Sequence, residues 1–466
     1  MEQSALKRNI GLLGAIALIT GTVVGSSIFI LLPSLAGLTG PSVWIAYALG
    51  VIPAIFTILY QMQLTGTLPV TGANYVSVTR MLSPFWGGIC SIAGAVAIIT
   101  ANVFVAVGFA KIICASVPGI PELVWSIGLV AIFAVINYFG ISLSTKIQAL
   151  MFVLFILGIL VFGVGGLMNS DPANLTPLFP NGVLPFILVI VVASVGWIGF
   201  IALAEIGGEI KEPRRTIPRA LIISLVIILF LYLLQSFALV ATMPWDQAGK
   251  AGSDAIWIDA ATFLSPPLVI LLYVAFACAV LTTINGLTMS GARTFVAWAR
   301  DGLIPQAVAK IDKRFATPGI AILLVFILEL IGILVAAGIE QYALAQVLAI
   351  MVVQILGATA VLMMPKKIPE LYSKGIFQFN KFWRWFIWIG CIVIFSLMFL
   401  FGIVLDMLDD KGDINKTPYT IIVLVGILML GTVWWFIRKA YLRKKGIDLS
   451  ERMRNTSGAS VQEAQD

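Results

Sequence analysis

The chain has 466 residues, 60% of them hydrophobic and only 11% charged, against roughly 25% charged in a soluble domain. That balance excludes a water-soluble globule, because the apolar content exceeds what one core absorbs and lipid has to cover the rest. Histidine is absent, and the four cysteines, Cys90, Cys114, Cys278 and Cys391, sit apart in or beside apolar segments. A zinc enzyme, a nuclease or a Ser-His hydrolase is therefore hard to build here, and no cofactor is expected.

In chain order, Met1 to Arg8 carries Glu2, Lys7 and Arg8, and the apolar run that follows from about Ile10 to Leu32 is longer than a signal-peptide core. It reads as a first membrane span. A spanning helix needs about 20 apolar residues, and segments 10–33, 42–64, 86–114, 121–140, 145–168, 183–209, 217–243, 262–290, 318–338, 342–364, 383–405 and 418–437 qualify. The sequence thus predicts an all-α polytopic membrane protein with twelve transmembrane helices. With the N-terminus inside, only Lys111, Lys250, Lys411 and Lys416 of the 29 Lys and Arg fall outside. This bias places both termini in the cytoplasm of a plasma membrane, as in a prokaryotic inner membrane. It also assigns the net charge of +7 to topology and anionic lipid rather than to nucleic acid. One transmembrane domain over residues 1–440 is expected, followed by a polar tail, 441–466, read as disordered.

The first span contains Thr20-Gly21-Thr22-Val23-Val24-Gly25-Ser26-Ser27-Ile28-Phe29, and the sixth contains Ser194-Val195-Gly196-Trp197-Ile198-Gly199-Phe200. Paired glycines weaken a helix by roughly 1 kcal/mol each relative to alanine. In lipid, freed backbone groups are tolerated where they line a cavity or meet a ligand. The two interruptions stand at matching places in two five-helix halves, about 10–168 and 183–364, with two further helices over 383–437. That pattern points to an inverted repeat with a midplane site. A half-helix starting near Gly25 would offer N–H groups and a positive dipole end to a carboxylate. Unwound carbonyls of Val23, Val195 and Ile198 would accept from an ammonium. The same glycines equally suit close helix packing alone.

Four motifs resemble those of the amino acid-polyamine-organocation permeases, which have the leucine-transporter type of fold. They are Gly21 to Phe29 in the first span, Pro69-Val70-Thr71-Gly72-Ala73-Asn74-Tyr75 with Arg80, Glu209-Ile210-Lys211-Glu212-Pro213-Arg214-Arg215-Thr216-Ile217-Pro218-Arg219-Ala220, and Ala299-Arg300-Asp301-Gly302-Leu303-Ile304-Pro305 followed by Thr317-Pro318. The resemblance covers about residues 8 to 440. It implies that the substrate carboxylate meets Gly25, Ser26 and Ser27 with Thr22 beside them. The ammonium would meet carbonyls near Val23, Val195 and Ile198, with Gly196 also in the binding site and Trp197 as a gate. Asn102 matches a polar substrate contact of the arginine/agmatine antiporter branch, although an interhelical hydrogen bond explains it as well.

Departures from the family pattern narrow the expectation. Aromatic positions that stack over a guanidinium correspond to Val195 and Leu287, so cation–π contacts worth about 0.5–2 kcal/mol each are missing. A helix-five lysine of some members corresponds to Phe155, and an acid common in helix six to Ile201. Three carboxylates lie in or near the bilayer. Glu205 and Glu209, one turn apart, are expected to share one face. Glu209 is read as the partner of a nearby Arg or Lys, and Glu205 as a candidate proton-coupling group. Glu329 is expected to lie away from the substrate path. Thr282 and Thr283 suit either sodium ligation or bonding to their own helix. The expected activity is secondary transport of a small or apolar neutral amino acid by alternating access, without an enzyme reaction. The alternatives are a polyamine or cationic amine antiporter and a transporter-like sensor. Expected partners are the amino acid and membrane lipid, with no nucleic acid, and a homo-oligomer is compatible with the sequence.

Overall fold

In lipid a chain has to satisfy its own N–H and C=O groups, and the uncharged Leu-, Ile- and Val-rich runs fold as helices accordingly. The computed structural model describes residues 8–25, 27–116, 119–251, 261–312, 314–408 and 414–454. The first helix is made of three pieces, α1 (Leu12–Val24), α2 (Ser27–Ile30) and α3 (Leu32–Thr39). After α4 (Val43–Leu49) and α5 (Val51–Thr67), a turn leads into α6 (Ala73–Met81). There follow α7 (Pro84–Ser116), α8 (Glu122–Tyr138) and α9 (Ile141–Met168).

The sixth helix is composite. α10 (Val183–Ala193) gives way to a 3₁₀ stretch, Ser194–Ile201, then α11 (Ala202–Glu205) and a 3₁₀ turn, Gly207–Glu209. There follow α12 (Pro213–Thr242), α13 (Trp245–Ala251), α14 (Pro266–Asp301), α15 (Gly319–Val335) and α16 (Ile339–Lys367). The chain ends with α17 (Pro369–Ser373), α18 (Lys381–Met407), α19 (Tyr419–Lys444) and α20 (Leu449–Arg454).

Nine spans among the described residues are long and apolar enough to cross a membrane, and α8, α10 and α15 are shorter apolar helices. The protein is therefore an all-helical, multi-pass membrane protein. The apolar window of the first span is 88% buried, against 28% in α18 and 17% in α19. The broken first helix thus runs through the centre, and the last two helices face outward with Phe382, Trp383, Trp434 and Phe436 exposed.

Two expectations are corrected. The first helix continues past residue 33 to Thr39, because Pro33 occupies the opening turn of α3, where a missing N–H costs nothing. The polar tail is ordered over 449–454. Leu449 and Met453 of α20 are fully buried, and Asp448 accepts from the Ser450 N–H at 2.8 Å. There the Arg452 guanidinium donates to Arg300 O at 3.1 Å, joined by Arg438 to Gly302 O at 2.9 Å and Trp434 to Leu303 O at 3.2 Å. Three side chains of the C-terminal region thereby hold the end of α14 and the two residues that follow it, and the Arg300 carbonyl among them is one that has no helical partner.

Backbone bridges tie the start of the first helix to the end of the sixth. The Asn9 and Ile10 N–H groups both donate to Glu209 O, and Lys211 N–H returns to Ile10 O at 2.8 Å. The Gly72 N–H, at a left-handed φ of 70° that favours glycine, donates to Glu205 O at 2.9 Å.

Candidate functional site: a cavity between the broken helices

Between the first and sixth helices lies a cavity. At one end stand Thr22, Val23 and Gly199, and at the other Asn74, Glu205 and Thr294. The side walls are helical faces read off by their spacing: Thr283, Leu287, Ser290 and Thr294 on α14, and Gln346, Ile350 and Val353 on α16. Residues four, three and four apart share one face of a helix. Gly94, Ile98, Ala101 and Val105 give α7 the same pattern.

At the first break α1 ends at Val24, Gly25 N–H still reaches Gly21 O at 3.3 Å, and the helix resumes at Ser27. Ser26 and the side chain of Ser27, both assigned to a substrate carboxylate, lie outside the described residues. The exposed end of α1 is capped from a neighbour. Thr282 and Thr283 Oγ1 approach Gly21 O at 3.1 and 3.3 Å, while also reaching Ala279 O of their own helix at 2.7 and 3.3 Å. Of the alternatives left open for these threonines, bonding to their own helix is present, and both hydroxyls also cap α1. Contact here is tight enough that a Cβ on Gly25 would stand 1.4 Å from Thr283 Oγ1.

The second break is overwound, not unwound. The eight residues Ser194–Ile201, which include Val195, Gly196, Trp197 and Ile198, keep a continuous 3₁₀ backbone. The side chains of Val195 and Ile198 lie outside the described residues. The reason for the tightening is packing, since a Cβ on Gly199 would lie 3.1 Å from the Thr22 carbonyl and 2.8 Å from Val23 Cγ2.

The sequence alone did not single out Tyr232 of α12. Its hydroxyl lies 2.8 Å from both Val23 O and Gly196 O, so one phenolic O–H is shared between carbonyls of the two breaks. Of the carbonyls expected to meet an ammonium, that of Val23 thus already accepts one hydrogen bond in this structure. Trp197 does not line the cavity. It is buried, edge-on to Tyr232 at 5.0 Å and stacked with Phe200 at 6.3 Å.

Glu205 and Glu209 also part company. Because helical bonding lapses at Ile206, the two carboxylates do not share a face. Glu209 is buried against Arg293, with Nε to Oε1 at 2.9 Å and Nη2 to Oε2 at 3.3 Å. Glu205 lines the cavity and is bound by neutral groups, Asn74 Nδ2 at 2.7 Å and Thr294 Oγ1 at 3.1 Å. Asn74 is held in turn by Gln61 Nε2 at 2.7 Å, and Gln61 reaches the Tyr60 hydroxyl at 3.0 Å. Asn74 stood inside a quoted motif and Thr294 on a four-three-four stripe, but neither pattern reveals a carboxylate partner 131 or 89 residues away.

Asn102 lies behind the wall, not on it. Its amide donates to Glu329 Oε1 and lies 3.3 Å from Thr288 Oγ1. The structure thus joins two residues that sequence reading kept apart. Among the described residues, no three His, Cys, Asp or Glu side chains gather in a metal-binding group.

Residues 14–446 match the amino acid permease family. An uncharacterized transporter of Mycobacterium tuberculosis is 27% identical over 67% of this chain and 70% of its own length. The serine/threonine exchanger of Bacillus subtilis is 27% identical over 72% and 78%. A branched-chain amino acid permease of Lactococcus lactis is 25% identical over 64% and 70%. With a broken central helix, a cavity at the break and a match over nearly all its length, the chain belongs to the amino acid permease family.

Proposed function

We propose that this protein is a secondary carrier of small or apolar neutral amino acids, an exchanger or permease that works by alternating access. The observation that carries the reading is the cavity at the first break. Its α14 and α7 walls present Leu287, Ile98, Ala101 and Val105 beside the hydroxyls of Thr22 and Thr283. Such a lining suits a short apolar or hydroxylated side chain, and Leu287 offers no aromatic face at the position where a guanidinium would stack. The relatives that exchange serine and threonine or carry branched-chain amino acids support the same class.

In this reading twelve helices cross the plasma membrane with both termini cytoplasmic, and two inverted five-helix repeats place their broken helices at the midplane. Peptide groups from Gly25 through Ser27, next to Thr22, meet the carboxylate. The carbonyls of Val23, Val195, Gly196 and Ile198 meet the ammonium after Tyr232 releases those it holds. Trp197 gates the site and Asn102 supports its wall.

One observation favours the second reading, a cationic amine substrate or a coupling proton. Glu205 presents a carboxyl to the cavity with only neutral hydrogen-bond partners among the described residues. Uptake into proteoliposomes together with a thermal-shift panel separates the two, because a ligand that binds the native state raises its apparent stability. Serine, threonine and the branched-chain amino acids are expected to stabilise the protein and to be taken up saturably. Stronger stabilisation by arginine or agmatine would replace the first reading with the second.

A further inference from the structure

We infer that Glu329 is an intramembrane proton-binding site whose occupancy is linked to the substrate cavity through Asn102 and Thr288. The carboxyl sits in α15, fully buried, in a membrane-crossing protein. Its Oε1 accepts from Asn102 Nδ2, while Oε2 is buried with no partner. Asn102 Oδ1 is likewise buried and unpartnered. An ionised carboxylate with one neutral donor cannot repay its lost hydration, whereas the protonated acid is neutral and needs far less. An acid in this setting therefore takes up a proton, and the proton is the ligand of the site.

Among the described residues, none offers Glu329 a counter-charge. The helices packed on α15 are α7, α8 and α14. From α7 and α14 the polar groups at the site are Asn102 and Thr288. The charges of those helices are Lys111 on α7, Glu122 on α8, and Arg293, Arg300 and Asp301 on α14. Arg293 is bound to Glu209 and Asp301 to Arg80. The charge-bearing residue 310 of the short turn Gln306–Ala309 lies just beyond that turn's end. None of these groups bonds to Glu329. The helices pack closely at the glycines of this seam: a Cβ on Gly291 would lie 3.4 Å from Val325, and one on Gly332 would lie 2.7 Å from Val103.

The link to transport comes from chain adjacency. Ala101 and Leu287 line the cavity; the next residue on α7, Asn102, donates to the carboxyl from behind, and the next on α14, Thr288, accepts from that same amide. A substrate that moves the α7 wall moves the polar support of Glu329 directly, and one that moves the α14 wall acts on it through Thr288 and Asn102. One proton taken from the outer solvent and released inside would then accompany each neutral amino acid, carrying one positive charge.

This inference rests on the amino-acid carrier reading, so the test keeps the two separable. Wild type and Glu329→Gln are reconstituted with a pH-reporting dye in the lumen, and L-serine and L-leucine are supplied separately outside. Wild type is expected to acidify the lumen during uptake and to accumulate more substrate with an inward proton gradient. Glu329→Gln is expected to exchange amino acid at near wild-type rate while losing acidification at least tenfold. Acidification that persists in Glu329→Gln, or is absent from wild type during uptake, overturns the inference. Should Glu329→Gln fail to fold, Asn102→Ala replaces it, with an expected shift of at least half a unit in the pH midpoint of uptake; an unchanged midpoint counts against the site.

If neither amino acid is taken up, the substrate reading fails on its own. The proton site is then judged by infrared spectroscopy of the unloaded protein. A carboxylic C=O band that titrates in wild type and is missing from Glu329→Gln, or altered in Asn102→Ala, supports it. A band with no Glu329 contribution overturns it.

Discussion

The two interrupted helices look alike in sequence and differ in kind. The first leaves helical geometry at Gly25, and its last carbonyls are capped from α12 and α14. The sixth never opens; it tightens into eight residues of 3₁₀ helix and keeps its backbone continuous. One break therefore supplies end groups and the other supplies a close-packed wall. Tyr232 joins them by a single hydroxyl. Broken helices in a bilayer need not both expose peptide groups, since a neighbouring side chain can occupy a freed carbonyl until a ligand takes its place.

The sharpest way to break this comparison is a methyl group at each site. Gly25→Ala puts a Cβ 1.4 Å from Thr283 Oγ1, with Ala279 O 3.0 Å away, and nothing rigid can yield that much. Uptake in proteoliposomes is expected to fall to background. Gly199→Ala meets Val23 Cγ2 at 2.8 Å, an overpacking that costs about 1–3 kcal/mol, and is expected to retain measurable uptake. Equal loss in both variants would mean that the two breaks work alike.

The ion pair beneath the second break gives the next largest effect. Arg293→Met leaves Glu209 buried without its cation, and losing one partner of such a pair costs about 3–5 kcal/mol. A large drop in melting temperature in detergent is expected, whereas Glu205→Gln, which keeps neutral partners, is expected to change it little. If the two variants melt together, the environments of the two acids have been misjudged.

Tyr232→Phe tests the join itself. It leaves Val23 O and Gly196 O without that donor, and an unsatisfied buried acceptor costs about 1–3 kcal/mol. If both carbonyls are held until substrate arrives, the variant is expected to lower the melting temperature and change the half-saturating concentration of L-serine or L-leucine together. A change in melting temperature with unaltered uptake would make Tyr232 a packing residue only.

Much of this architecture was legible because lipid imposes simple rules. Apolar runs found the helices, and glycine pairs found both interruptions. What stayed hidden depends on distance in the chain. Tyr232 is 209 residues from Val23, and Glu329 is 227 from Asn102, and no local pattern encodes such meetings. The split between Glu205 and Glu209 was hidden for another reason: helical spacing assumes that the helix persists, and this one lapses at Ile206. The burial of Leu449 and Met453 also escaped notice, because a six-residue helix after a polar run carries too little hydrophobic signal to distinguish it from a tail.

The smallest effect concerns the inner end of the sixth helix, where Thr294 donates to Glu205 Oε2 at 3.1 Å while also bonding Ser290 O at 3.1 Å. Thr294→Val keeps the volume and removes the hydroxyl. Asn74 still holds Oε1, so the loss is that of one hydrogen bond to a polar group, about 1 kcal/mol. A drop in uptake of roughly fivefold, with the protein still monodisperse, is the expected outcome if the Glu205 carboxyl has to stay aimed into the cavity. Because the second break is continuous, that disturbance should stay at its inner end and leave the thermal shift produced by bound L-serine or L-leucine almost unchanged. A lost ligand-induced shift in Thr294→Val would instead mean that the 3₁₀ segment transmits strain to the site at the first break, and the two interruptions would have to be treated as one flexible unit.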